Sequence, residues 1–169
     1  VRADAPARLR EVLEGRGRTF HPTWRASAAQ VLQARSFAAI AGTTGQQWLA
    51  ERIGDLGLTT RAVSVRSFDE GIQSLLDRQS DALFGERAVL LDAVRRHAAS
   101  RDLMVVDRLF TYEPLALAFA RGDEDFRLLV DRALSRLYGS ADIGGLYTKW
   151  FGEPDQNTLT FFRWNRLPD

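Results

Sequence analysis

The stretch Phe37-Ala38-Ala39-Ile40-Ala41-Gly42-Thr43-Thr44 decides the fold. Small and apolar residues run up to a glycine and two threonines, and Gln46-Gln47-Trp48-Leu49-Ala50-Glu51-Arg52-Ile53 follows at once. A short apolar run cut off by turn residues reads as a buried strand, and the mixed run behind it as a helix. Strand, tight turn and helix are therefore predicted in that order.

The same plan recurs downstream. Thr60-Arg61-Ala62-Val63-Ser64-Val65 alternates as a strand does, and Phe68, Ile72, Leu75 and Leu76 follow Ser67 at helical spacing. Asp81-Ala82-Leu83-Phe84-Gly85 reads as a third, buried strand, Ala88, Val89, Leu91 and Val94 mark the next helix, and Leu103-Met104-Val105-Val106 closes the series. Strands alternating with helices predict an α/β fold, a mostly parallel sheet flanked by helices on both faces with right-handed crossovers. Upstream, residues 1–35 are rich in Arg and Ala and broken by Gly15, Gly17 and Pro22. Only Leu9, Val12 and Leu13 form a short stripe there, so a modest share of the core is expected from that segment.

The pattern changes after Tyr112-Glu113-Pro114, with Pro114 at the crossing point. Leu115-Ala116-Leu117-Ala118-Phe119 reads as one more strand, and everything beyond it as helix. Phe126, Leu129, Val130, Ala133, Leu134 and Leu137 share one helical face, and Ile143, Leu146, Tyr147, Trp150 and Phe151 a second, stopped by Gly152 and Pro154. Trp150-Phe151, at helical spacing from Tyr147, reads as core. The tail Leu159-Thr160-Phe161-Phe162-Arg163-Trp164 is too aromatic for a free end and is expected to dock on a surface. No repeat of solenoid type is present.

Composition narrows the function. With 169 residues, 45% of them hydrophobic, the chain can bury a core. A formal net charge of +1 offers no overall field to attract nucleic acid or an anionic membrane. The absence of cysteine removes disulfides, thiolate metal sites and cysteine nucleophiles. No apolar run approaches the roughly 20 residues of a membrane span. The start, Val1-Arg2-Ala3-Asp4-Ala5-Pro6, has no signal-peptide pattern, so a signal peptide is expected upstream or already removed.

Two places carry the chemistry of a binding site. Gly42-Thr43-Thr44-Gly45 sets backbone N–H groups and hydroxyls at a helix N-terminus, which favours anions. Thr43 and Gln46 also have the spacing of a capping box, and on local sequence alone a well-capped helix is the preferred reading. Gly85-Glu86-Arg87 ends the third strand on the same sheet edge, where open α/β sheets take their ligands. The threonine turn suits a carboxylate and Glu86 an ammonium group, a combination that fits an α-amino acid. Each also has a plainer explanation, Glu86 as an acid at a helix start and Arg87 as a solvated side chain. His21 and His97, the only histidines, lie far apart and beside no serine nucleophile, so no catalytic or metal-binding residue is assigned and no cofactor is expected.

Taken together, these elements resemble the family 3 extracellular solute-binding proteins, the substrate-binding components of polar-amino-acid ABC transporters. The resemblance runs from about Phe37 to Gly152. It rests on Ala41-Gly42-Thr43-Thr44, Ser67-Phe68-Asp69-Glu70-Gly71, Ser80-Asp81-Ala82-Leu83-Phe84-Gly85-Glu86-Arg87-Ala88, Tyr112-Glu113-Pro114-Leu115-Ala116-Leu117-Ala118, Arg121-Gly122-Asp123 and Ile143-Gly144-Gly145-Leu146-Tyr147-Thr148-Lys149-Trp150-Phe151-Gly152.

Such proteins close two hinged α/β lobes over their ligand, the second lobe being inserted in the first. The resemblance implies that residues 1–112 are the inserted lobe of a periplasmic-binding-protein-like fold. Residues 113–169 are then the return strand and C-terminal helices of lobe one, most of which would lie upstream of Val1. It implies a ligand site at Thr43, Thr44, Gly85 and Glu86, where the family usually carries a shorter aspartate in place of Glu86. A small polar ligand, an ABC permease partner, a periplasmic or extracytoplasmic location and a monomeric full-length protein are implied as well, with no enzymatic activity. A ligand-sensing module of a membrane receptor or kinase is the alternative, and a dehydratase-like enzyme on the same fold ranks below it.

Overall fold

Three parallel strands form the sheet, β1 (Ser36–Ile40), β2 (Arg61–Val65) and β3 (Ala82–Phe84), in the order β2-β1-β3. Phe37 lies opposite Ala62 on one side and Ala82 on the other, and Ala39 opposite Ser64 and Phe84. The computed structural model describes residues 1–15, 29–111 and 116–167. The chain divides into two compact units, Val1–Phe110 and Thr111–Asp169, and the sheet belongs to the first.

Parallel neighbours need crossover connections, and these are α2 (Thr44–Asp55) between β1 and β2 and α3 (Phe68–Leu76) between β2 and β3. Helix α1 (Ala7–Glu14) precedes the sheet, and α4 (Arg87–Arg96) with a 3-10 turn at Ser100–Asp102 follows it. Alternation along β1 sorts its side chains onto the two faces. Ala38 joins Val65, Ile72, Leu75, Leu83, Ala93 and Leu103 in one core, the side of α3 and α4. Phe37 and Ala39 join Leu9, Leu13, Leu49 and Ala82 in the other, the side of α1 and α2. The sheet is thus covered on both faces, as the α/β reading expects.

Side-chain bonds secure the sheet at its N-terminal edge. The Asp81 carboxylate accepts the Ser36 N–H at 2.9 Å and pairs with Arg35 at 3.3 Å, tying the start of β1 to the start of β3. The Arg2 guanidinium donates to the carbonyls of Leu75 at 3.0 Å and Ser80 at 3.3 Å, which satisfies a carbonyl at the C-terminal end of α3.

Three sequence expectations change. Residues 1–15 contribute substantially to the core, because Leu9 is completely buried and Leu13 nearly so, both against Phe37, Ala39 and Leu49. Leu103–Val106 forms no strand of the sheet. Its backbone pairs instead with the first residues, through a bridge between Arg2 and Leu103 and bonds from Ala3 N–H to the Asp102 carbonyl and from Met104 N–H to the Val1 carbonyl, both 2.8 Å. Residues 116–119 lie in no strand, while Tyr112-Glu113-Pro114-Leu115, like His21 and Pro22, fall outside the described residues.

Ala34, just before β1, has a left-handed backbone with φ 61°. A Cβ is disfavoured there, by roughly 1–2 kcal/mol relative to the ordinary helical region. Ala34→Gly is therefore expected to raise the unfolding free energy by about 0.5 kcal/mol once the greater freedom of glycine in the unfolded chain is subtracted. Urea titration of the two proteins checks this, and a fall in midpoint would contradict it.

The second unit holds α5 (Glu124–Gly139), α6 (Asp142–Phe151) and α7 (Gln156–Trp164). Asp123 caps α5 by accepting the Phe126 N–H at 3.3 Å, and Asp155 caps α7 by accepting the Thr158 N–H at 2.8 Å. The Thr158 backbone bond holds the Asp155 carboxyl below its ordinary pKa. The aromatic tail docks through Phe162, which is buried with its ring stacked on Tyr138 at 5.4 Å and set edge-on to Tyr147 at 5.7 Å, whereas Leu159, Phe161 and Trp164 stay exposed, Trp164 at 81%. The reading of Trp150 and Phe151 as core does not hold, since they are 50% and 39% exposed. The rings of Tyr138, Tyr147 and Phe162 pack together between these helices, while Phe126, Leu129, Leu146 and Trp150 remain 45–63% exposed.

Candidate ligand-binding edge

Parallel strands deliver their following turns to one edge of a sheet, so β1, β2 and β3 bring Gly42–Thr44, Arg66–Ser67 and Gly85–Arg87 to the same side. With β1 and β3 adjacent in the sheet, the turns holding Thr44 and Glu86 are neighbours. This is the edge at which α/β sheets bind ligands.

Gly42 takes a left-handed conformation, φ 74°, to turn the chain out of β1. Thr43 then caps α2, its hydroxyl accepting the Gln46 N–H at 3.2 Å and donating to the Ile40 carbonyl at 2.7 Å. The Gln46 side chain reaches back to accept the Gly42 N–H at 2.8 Å and donates to the Ser64 hydroxyl at 2.6 Å. Thr43 is thus occupied in holding the turn together. Thr44, the first residue of α2, is exposed, and its N–H and that of Gly45 belong to the first turn, where no helical acceptor exists. The groups this turn presents outward are those of Thr44 and Gly45.

The turn after β2 repeats the device. Ser67 accepts the Glu70 N–H at 3.1 Å, and Glu70 accepts the Arg66 N–H at 2.9 Å and pairs with its guanidinium at 3.2 Å. The Arg66 backbone bond, with help from the side-chain bond, keeps the Glu70 carboxyl below the usual carboxylate range. After β3, Glu86 occupies the N-cap position of α4 without making a cap bond, and its side chain is exposed. Arg87 is not simply solvated: its guanidinium pairs with Asp107 at 2.9 Å.

Other residues at this edge gave no sequence signal. Trp48, Phe84 and Phe110 form a ring cluster with centroids 5.4–5.9 Å apart, and the Arg108 guanidinium lies 4.9 Å from the Phe110 centroid. Only spatial proximity unites them, since they are far apart along the chain. His97 accepts the Ala99 N–H through Nδ1 at 3.1 Å, a local structural bond. Among the described residues no cluster of His, Cys, Asp or Glu could hold a metal ion. No described helix is long and apolar enough to cross a membrane.

Removing the Thr43 hydroxyl tests the division of labour in the first turn. Thr43→Ala is expected to cost about 1 kcal/mol of stability, the usual value of an N-cap. A denaturant titration reads it, and a negligible cost would mean that Thr43 does not hold the turn.

The fold is that of a periplasmic-binding-protein lobe. Two solved structures of an ancestral arginine-binding protein, one bound to arginine and one to glutamine, superpose with TM-scores of 0.52 and 0.51 at 23% and 22% identity. They cover 73% and 74% of this chain and 54% and 53% of their own. In sequence, the chain is similar to the L-glutamate/L-aspartate-binding protein of Pseudomonas aeruginosa, 24% identical over 123 residues, covering 73% of this chain and 41% of that protein. It is also similar to the L-cystine-binding protein TcyJ of Escherichia coli, 26% identical over 114 residues, covering 66% and 40%. No family model matches the chain. The likeness is to family 3 solute-binding proteins. The chain spans about four-tenths of the length of these curated relatives.

Proposed function

We propose that this chain belongs to an extracytoplasmic solute-binding protein that captures a polar amino acid and presents it to an ABC permease. The observation that carries this reading is the pairing of two neighbouring turns at one sheet edge. One offers the Thr44 hydroxyl and the N–H groups of Thr44 and Gly45 at a helix N-terminus, the other an exposed carboxylate at Glu86. The first suits a carboxylate and the second an α-ammonium group. That the curated relatives are binding proteins by name supports this over an enzymatic role.

In this proposal residues 1–112 are the inserted second lobe, and residues 113–169 are the segment that returns to lobe one. The division of the chain between Phe110 and Thr111 supports the split. So do the exposed apolar residues of α5 and α6, among them Phe126, Leu129, Leu146 and Trp150, which suit helices that cover a further lobe. Ligand meets one lobe first and closure completes its coordination, so one lobe alone binds weakly.

The test is an NMR titration of the ¹⁵N-labelled chain with L-glutamate, L-aspartate, L-cystine, L-arginine and L-glutamine. Saturable shifts at the amides of Thr44, Gly45 and Gly85–Arg87 are expected for at least one of them. Thr44→Val and Glu86→Gln should weaken that binding and leave the unfolding midpoint unchanged. A folded chain whose two turns stay silent toward the whole panel would sink the reading.

A further inference from the structure

Glu86 makes no side-chain cap bond, so the position of its carboxylate follows the backbone of residues 85 and 86. That backbone is gripped from an unexpected direction. A Cβ placed on Gly85 would lie 2.6 Å from Cε1 and 3.2 Å from Cζ of Phe68, and 3.7 Å from Cγ of Leu90. The Phe68 ring therefore rests directly against the Gly85 main chain, in space that only a glycine leaves open.

Phe68 is itself well anchored. It is the first residue of α3, follows the Ser67 cap, and packs against the core formed by Ala38, Val65, Ile72 and Leu83. The Glu70 bond back to Arg66 fixes the turn from the other side. A rigid turn after β2 thus braces the turn after β3. We propose that Phe68 is a positioning residue for Glu86, its ring holding the Gly85 backbone so that the carboxylate meets the α-ammonium group of a bound amino acid. The inference rests on the amino-acid reading above, and Phe68 acts through Gly85 without itself contacting ligand.

This predicts a selective defect. The probes are L-glutamate with glutarate, and L-arginine with 5-guanidinopentanoate, each second molecule lacking only the α-amino group. Phe68→Leu keeps apolar bulk but removes the ring edge. It should weaken binding of the amino acid by about threefold or more, as a displaced charge-assisted hydrogen bond would, and leave the des-amino partner unchanged. Phe68→Tyr, which keeps the ring, should restore the preference for the amino acid. In a Glu86→Gln background Phe68→Leu should have no further effect, because the carboxylate it positions is gone. Equal weakening of both ligands, or of neither, would overturn the positioning role while amino-acid binding stood. Failure of the unaltered chain to bind any amino acid of the five-member panel would overturn both proposals, and binding of another member in place of these two moves the same paired comparison to that amino acid and its des-amino analogue.

Discussion

Leu9→Ala is expected to lower the unfolding free energy by about 3 kcal/mol, within the range for truncating a fully buried leucine. Leu9 has no exposed surface, and its neighbours in the core come from α1, β1, α2 and β3: Leu13, Phe37, Ala39, Leu49 and Ala82. Several of these belong to backbone-tied elements that cannot readily collapse into the void, since β1 is the central strand and pairs on both sides. Urea denaturation should show a lower midpoint at an unchanged slope. A cost below about 1 kcal/mol would mean that α1 sits on the lobe as an appendage and leaves the core intact without it.

Gly71→Ala is the second large effect, and its sign runs against helix propensity. An alanine in a helix interior is ordinarily favoured over glycine by about 1 kcal/mol. Here the added Cβ would lie 2.7 Å from both δ carbons of Leu83 and 3.3 Å from its γ carbon. Gly71 lets α3 lie close on β3, and Leu83 is held within the core, so the clash must move the helix or the strand. A net loss of about 2 kcal/mol is expected, typical of overpacking a tight core. Gly144→Ala in α6 is the internal control, because nothing lies within 4 Å of the position a Cβ would take. Thermal unfolding of the pair should move in opposite directions, and parallel movement would refute the close approach of α3 to the sheet.

Much of this architecture is written in local pattern. Phe37–Ile40 and Ala82–Phe84 run apolar because helices bury β1 and β3, Arg61–Val65 alternates as a half-exposed edge strand with Val65 inward, and Ser67 and Thr43 announce helix starts through their capping chemistry. The weight of α1 is hidden because three apolar residues in an arginine-rich stretch give little signal, and their burial depends on where that helix lands. The misreading of Leu103–Val106 has a similar origin. Its apolar run is real, but its backbone partners are residues 1–3, a pairing no local pattern encodes. Trp150 and Phe151 show the converse limit, since an apolar stripe states a need for cover without saying what supplies it.

At the candidate edge, the sequence marks the turns but leaves open which of their residues are occupied within the fold. The spacing of Thr43 to Gln46 marks the first threonine as the cap, as the structure has it, but nothing in the sequence tells whether Thr43 is also free to meet a ligand; its two hydrogen bonds within the turn show it occupied, and Thr44 exposed. The contact of Phe68 with Gly85 crosses from one turn to another and has no sequence signature beyond the glycine itself.

The self-contained caps of these turns bear on how such a lobe changes over evolutionary time. Thr43 with Gln46 and Ser67 with Glu70 hold their helix starts by bonds that close within each turn and its adjacent strand. The side chains of Thr44 and Glu86, by contrast, make no cap bond. Substitution at those two positions is therefore expected to leave the helix starts intact, so under the proposed reading recognition and stability draw on different residues.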